Sequence, residues 1–328
     1  MGTQVGRKSV KKYADVVIVG GGPAGISAAI WCKRLGLDHL LLETRDTLGG
    51  QLLDIQNQII DYPGLLSPNG HELQKFFQQH MQDLQCSYML NTSVKSIDPE
   101  KRVVSIVIVN PVSSPEGTEQ HELQLGYRFL IFSTGSSFRR LHIPGEDEMI
   151  KRGELFSASK DRFKFKNKQV AVIGGGDRAF EGALLLAESG AQVFLIHRTD
   201  QFRARSEYIE PVLSHPQIQI LTHTVARRIV GDKSVSGVEL LTAGSERTKL
   251  LPVDAVFIRI GMSPNSGLLQ GIVDMDKEKY IITNKTHQTN ICNIFAVGDV
   301  CTHPVYSSIS LSVGQGGIAA KTISQRAE

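Results

Sequence analysis

Short continuous apolar runs, each stopped by glycine or a polar residue, organise this chain of 328 residues. Asp15 opens the run Val16–Val19, which reads as a buried strand. Helix-forming residues follow through Arg34, and a second apolar strand ends at Glu43. The same order returns in "NKQVAVIGGGDRAFEGALLLAESGAQVFLIHR", with a strand over Val170–Ile173, a helical stretch and a strand ending at Ile196. Between these repeats, "YRFLIFSTGSSFRRLHIPG" reads as a strand, a small-residue turn and a linker. Near the C-terminus "NIFAVGDV" is another apolar strand, and "VGQGGIAA" opens a helix. Strands alternating with helices predict an α/β architecture with parallel sheets.

Composition adds bounds rather than chemistry. The length exceeds what one core organises, so two domains are expected. Hydrophobic residues make up 41%, charged residues 21%, and the net charge is +3, the profile of an ordinary globular protein with no bias towards nucleic acid or a membrane surface. No apolar run approaches the ~18 residues of a membrane span. The opening "MGTQVGRKSVKKYAD" lacks the apolar core of a secretory signal and reads as a disordered leader. Cys32, Cys86, Cys292 and Cys301 form no C-x-x-C and no zinc spacing, which fits a reducing cytoplasm.

The glycines after the first strand carry chemistry. Gly20, Gly22 and Gly25 form G-x-G-x-x-G between a strand and a helix, where a tight turn and close backbone approach suit a pyrophosphate at a helix N-terminus. Glu43 stands where a carboxylate accepts hydrogen bonds from an adenosine ribose. Gly174, Gly176 and Ala179 repeat the pattern as G-x-G-x-x-A. No acid follows the second repeat: His197, Arg198 and Thr199 do, with Arg203 and Arg205 close behind. A carboxylate there would repel a 2′-phosphate, whereas Arg198 and Arg203 suit one, so this turn leans to NADPH. Ser133-Thr134-Gly135 lets the chain pass close to a dinucleotide, and Asp299, ending its strand, is placed for a ribityl hydroxyl or phosphate-bound water of FAD.

In order along the chain, "GGGPAG", "GGQL", "DYPG", "STG", "IPGE", "IGGGDRA", "HRTDQFRA", "GMSPN" and "FAVGD" resemble the low-molecular-weight thioredoxin reductases of the FAD/NAD-linked disulfide reductase superfamily, from Asp15 to Ala320. The resemblance implies the thioredoxin reductase fold, with two Rossmann-like, three-layer ββα dinucleotide-binding domains. Residues 1–145 and 273–328 would form an FAD domain, interrupted by an NADPH-type domain over 146–272. It implies a homodimeric FAD oxidoreductase whose smaller domain rotates. FAD would be held by Gly20, Gly22, Gly25, Glu43, Gln51 and Asp299. Gly174, Gly176, Arg198 and Arg203 would hold a second dinucleotide, NADPH or a second FAD.

The chain also departs from that family. Ser157-Ala158-Ser159-Lys160 stand where the family carries Cys-x-x-Cys, and a hydroxyl and an amine form no disulfide. Asp161 matches the acid that follows and is a candidate proton donor. Arg178 replaces Ser or Thr in the second phosphate turn, Gly182 replaces an acid, and "VYSSISLS" after Pro304 replaces the usual Arg-Gln-Val stretch, with Tyr306 either stacking on a ring or packing. Of the cysteines, Cys301, two residues beyond Asp299, is the candidate alternative redox thiol. Electrons then pass to a non-thiol acceptor, as in ferredoxin–NADP reductases of this type, or run from thiols to flavin, as in cyanobacterial diflavin-linked disulfide oxidoreductases. A degenerate flavin-binding module is the third reading. The partner is a redox protein or a small-molecule thiol or acceptor.

Overall fold

The computed structural model describes residues 12–56, 58–110 and 119–327; residues 1–11 of the expected disordered leader lie outside them, whereas its last three, Tyr13, Ala14 and Asp15, begin the strand Tyr13–Val19. Two compact units emerge, the first ending at Ser137 and resuming at Ser263, the second running from Phe138 to Met262.

In the first unit Tyr13–Val19 pairs in parallel with His39–Leu42 on one side and with Glu119–Phe132 on the other. The long strand Glu119–Phe132 does two jobs. Its early half pairs antiparallel with Val103–Asn110, which in turn pairs with Thr92–Asp98. Its late half, Leu130–Phe132, accepts Ile294–Ala296 as a parallel neighbour. The alternation of a pleated strand divides the apolar run between two cores. Val16 and Ile18 pack with helix Pro23–Arg34 and with Ala319, Ala320 and Ile323 of helix Ile309–Ala327. Val17 and Val19 face Leu130, Phe132 and the antiparallel strands' Val104 and Ile106. Helices, a mostly parallel sheet and an antiparallel layer thus make three layers.

The second unit repeats that plan. Its parallel sheet has the order Ile218–Leu221, Gln192–Ile196, Gln169–Ile173, Ala255–Ile258. Helices Asp177–Glu188 and Ser206–Ser214 cover one face through Phe180, Ala183, Leu186 and Val212. The three-stranded antiparallel sheet of Thr224–Val230, Gly237–Thr242 and Lys249–Pro252 covers the other, through Ala226, Ile229, Val238 and Leu240. The expected pair of three-layer ββα dinucleotide-binding folds is present. Among the described residues no helix is long and apolar enough to cross a membrane.

Candidate functional site

The first glycine turn closes onto the strand Glu119–Phe132 without slack. Gly20 has φ +106°, and a Cβ there would sit 2.5 Å from the Ser133 carbonyl oxygen. A Cβ on Gly25 would lie 1.9 Å from the Gly20 oxygen, so helix Pro23–Arg34 abuts the turn only with glycine in place. Ser133 Oγ donates to the Val19 and Gly20 carbonyls at 2.9 Å each and locks the turn against the next strand. Gly22, extended at φ −77°, precedes the helix, whose first N–H groups have no intrahelical acceptor and point out of its end.

Glu43 sits beside this turn. One carboxylate oxygen accepts from Gly21 N at 2.6 Å and the other from Arg45 N at 2.8 Å, which fixes the carboxylate at the end of strand His39–Leu42. A cavity of about 270 Å³ opens next to it, lined by Gly20, Glu43, Thr44, Thr92, Thr134 and Asn265 among others. Sequence reasoning missed Asn265 as an individual residue. It exchanges hydrogen bonds of 2.9 Å with Thr134 in both directions, and its N–H donates to the Gly135 carbonyl at 2.9 Å, so it clamps the Ser133-Thr134-Gly135 turn at the cavity wall.

Gln51 and Asp299, 248 residues apart in sequence, meet: Gln51 Nε2 donates to Asp299 Oδ2 at 2.9 Å. Ser136 contributes its hydroxyl and carbonyl at 3.3 Å from the same amide, and Ser307 Oγ donates to the other oxygen of Asp299. Gln315 is a second residue that sequence reasoning passed over; its buried side-chain oxygen accepts from Gly298 N at 2.6 Å and orients the turn carrying Asp299. A glycine cradle, an anchored carboxylate beside a cavity, and a second carboxylate with an amide partner fit the donors and acceptors of a dinucleotide.

The second glycine turn has the same backbone logic. Gly174 has φ +154°, and a Cβ there would meet the Arg259 carbonyl oxygen at 2.1 Å. The His197 ring lies directly over Gly175, 2.3 Å from where a Cβ would be. Burial of that ring holds its pKa below the usual imidazole value, against a hydrogen bond to the Gln201 carbonyl and with the charges of Arg198 and Arg203. Gly176, with open space around it, precedes helix Asp177–Glu188. Arg203 N donates to the Gly175 carbonyl at 2.8 Å, so the exposed Arg203 side chain begins at the turn itself, and exposed Arg198 follows the strand end. Arg205 is committed elsewhere, to Asp177 at 2.8 Å and Glu207 at 2.9 Å.

The surroundings of two candidate residues bear on their roles. Asp161 is the first. Burial would raise its pKa, but the Lys164 ammonium at 2.7 Å and the Ser157 N–H at 2.9 Å hold it below the usual carboxylate value. It closes the one-turn helix Ala158–Asp161 from within, and Ser157 Oγ pairs with Ser159 Oγ at 3.0 Å. Cys301 is the other. Its thiol turns back into the core, 3.2 Å from the Ala296 carbonyl and 3.4 Å from that of Gly298. Burial foremost, and the charge of Asp299, push its pKa up to about 12 against a hydrogen bond with Thr302. A reactive cysteine needs an accessible, electropositive site, and this half-buried thiol lies beside the Asp299 carboxylate. Cys32 and Cys86 are buried, pushed up by burial to about 12 and about 11, whereas Cys292 is exposed.

Residues 14–316 match the family described as "Pyridine nucleotide-disulphide oxidoreductase". The chain is 33% identical over 306 residues to an alkyl hydroperoxide reductase component of Staphylococcus epidermidis, covering 93% of itself but 57% of that relative. With the thioredoxin reductase of Listeria monocytogenes it shares 30% identity, over 98% of this chain and 96% of that one. The thioredoxin reductase of Lactococcus lactis superposes with a TM-score of 0.78 at 31% identity, covering 95% of this chain and 98% of the other.

Proposed function

This chain belongs to the pyridine nucleotide-disulphide oxidoreductase family, and on that premise we propose that it passes electrons between FAD and a second dinucleotide without the family's dithiol. Membership makes it an FAD-dependent oxidoreductase. FAD when bound supplies a two-electron carrier; the rest is the work of this chain's own residues. Gly20, Gly22 and Gly25 would admit the diphosphate to the helix N-terminus, Glu43 would accept from the adenosine ribose, and Gln51 and Asp299 would bind the ribityl-phosphate end. Gly174, Gly176, Arg198 and Arg203 would hold the second dinucleotide, NADPH by the two arginines.

One observation carries the dithiol-free reading. By the resemblance, Ser157 and Lys160 stand where the family carries Cys-x-x-Cys, and the thiol of half-buried Cys301 turns towards the Ala296 and Gly298 carbonyls, its pKa pushed up to about 12 by burial. On this reading no dithiol of the family's kind stands between flavin and partner. The partner, a small-molecule thiol or another acceptor, meets the flavin directly, and the working form is a homodimer. The test is the flavin count of the purified protein, followed by anaerobic addition of NADPH and then of a dithiol. One FAD per chain, bleached by NADPH, is the expected result. Two FAD per chain, unmoved by NADPH and reduced by the dithiol, would replace it with a diflavin enzyme running from thiols to flavin. Failure of both reductants to bleach the flavin would refute both readings.

A further inference from the structure

The second unit concentrates two cations at a place where the dinucleotide reading has not used them. Arg259 follows strand Ala255–Ile258, and Arg178 is the second residue of helix Asp177–Glu188. Both guanidinium groups lie against one ring, Phe138, with Arg259 at 4.7 Å and Arg178 at 5.5 Å from its centroid. Arg259 donates to the carbonyls of Ile258 and Phe156 at 2.8 Å, and Arg178 reaches the Met262 sulfur at 3.0 Å. These partners are all neutral: backbone carbonyls, a thioether sulfur and an aromatic ring. Burial and the neighbouring Arg178 charge lower the Arg259 pKa to about 10, so it remains a cation at neutral pH, in an environment already too positive for it. Two like charges kept this close repel, and a third positive charge brought against them adds to that cost.

The strand order says which part of a ligand arrives there. Ligands of open α/β sheets lie across the carboxyl ends of the strands. The glycine turn follows Gln169–Ile173, and the ribose-side arginines follow Gln192–Ile196. Ala255–Ile258 flanks the central strand on the opposite side, so the other half of a dinucleotide, the half with the redox ring, extends towards Arg259, Arg178 and the half-exposed Phe138.

We propose that Arg178 and Arg259 make the second dinucleotide site selective by ring charge, accepting a neutral or electron-rich ring and rejecting the cationic nicotinamide of NADP⁺. The inference rests on the reading of the second turn as a dinucleotide site. A dihydronicotinamide and an isoalloxazine share the accepted chemistry, and the binding arms tell them apart.

The experiment measures equilibrium dissociation constants of the full-length protein for NADPH, NADP⁺ and added FAD, by calorimetry, in the parent and in Arg178→Ser and Arg259→Met, with circular dichroism to check folding. NADP⁺ is expected to bind at least about tenfold more weakly than the better of the other two, which is about 1.4 kcal/mol. The ratio should shrink severalfold in Arg178→Ser, an exposed position where folding is not at stake, and further in Arg259→Met. NADP⁺ binding as tightly as NADPH or FAD, or a ratio unmoved by Arg178→Ser, overturns the proposal. Binding of none of the three overturns the dinucleotide reading of the turn itself. Preference for NADPH identifies a dihydronicotinamide occupant and preference for FAD a second flavin.

Discussion

Replacing Glu43 with glutamine tests the first site at its best-defined atom. The carboxylate accepts from Gly21 N at 2.6 Å and Arg45 N at 2.8 Å. In Glu43→Gln one amide oxygen remains as acceptor, and the NH₂ group must face one of those two N–H donors. A hydrogen bond to a charged acceptor is worth about 1.5–3 kcal/mol, and a buried donor left unpaired costs about 1–3 kcal/mol. The apoprotein should therefore lose about 1–3 kcal/mol, several degrees in Tm at about 2–4 °C per kcal/mol for a unit of this size. FAD binding should suffer separately, because the ribose hydroxyls lose an ionised acceptor beside the cavity. A Kd increase of about 10–100-fold corresponds to about 1.4–2.7 kcal/mol. Flavin-fluorescence quenching on titrating apoprotein reads the Kd, and thermal unfolding of the same apoprotein reads the turn. A lower Tm with the FAD Kd unchanged within about twofold would refute the ribose assignment and leave Glu43 as a brace for the Gly21 turn alone.

Other perturbations have equally definite outcomes. Cys301→Ser keeps a donor for the Ala296 and Gly298 carbonyls, so stability should change by less than about 1.5 kcal/mol and the rate of flavin reduction by a dithiol should be unchanged; loss of that reduction would return the residue to redox chemistry. Native alkylation with iodoacetamide, read by mass spectrometry, should label exposed Cys292 and spare Cys32 and Cys86. Asp161→Asn should destabilise the protein at pH 7 by about 1–2 kcal/mol in urea unfolding. Because the native pKa of Asp161 is depressed, its stabilisation is present above the unfolded value of about 3.9 and is lost as pH falls through the native one. The gap between parent and variant should accordingly close in acid, and a gap that is constant with pH would contradict the ion pair.

What was legible in the sequence is local, and what was not is set by distant partners. The glycine turns could be read because their requirement is contained within the motif: the Gly25 position meets the Gly20 carbonyl five residues away. The two cores could be read because Val16 and Ile18 must point opposite to Val17 and Val19 in any pleated strand. Asn265 could not, since its partner Thr134 is 131 residues away and no period connects them. Cys301 shows the limit in another form. Its proximity to Asp299 is a fact of sequence, but the short helical turn Gly298–Val300 sends the thiol back to Ala296 rather than outwards. Asp161 was closer to being readable, because Lys164 lies one helical turn on at i+3, a spacing that pairs opposite charges. The arginines make the strongest case. Arg178 on its own reads as an intruder in a phosphate turn, and Arg259 as an ordinary charge after a strand. Only the sheet order, which puts Ala255–Ile258 beside Gln169–Ile173, brings both against Phe138. A substitution that looks like decay of a nucleotide site in one dimension is, in three, half of a two-cation feature, and its charge then has a ligand-selecting consequence that an isolated arginine would lack.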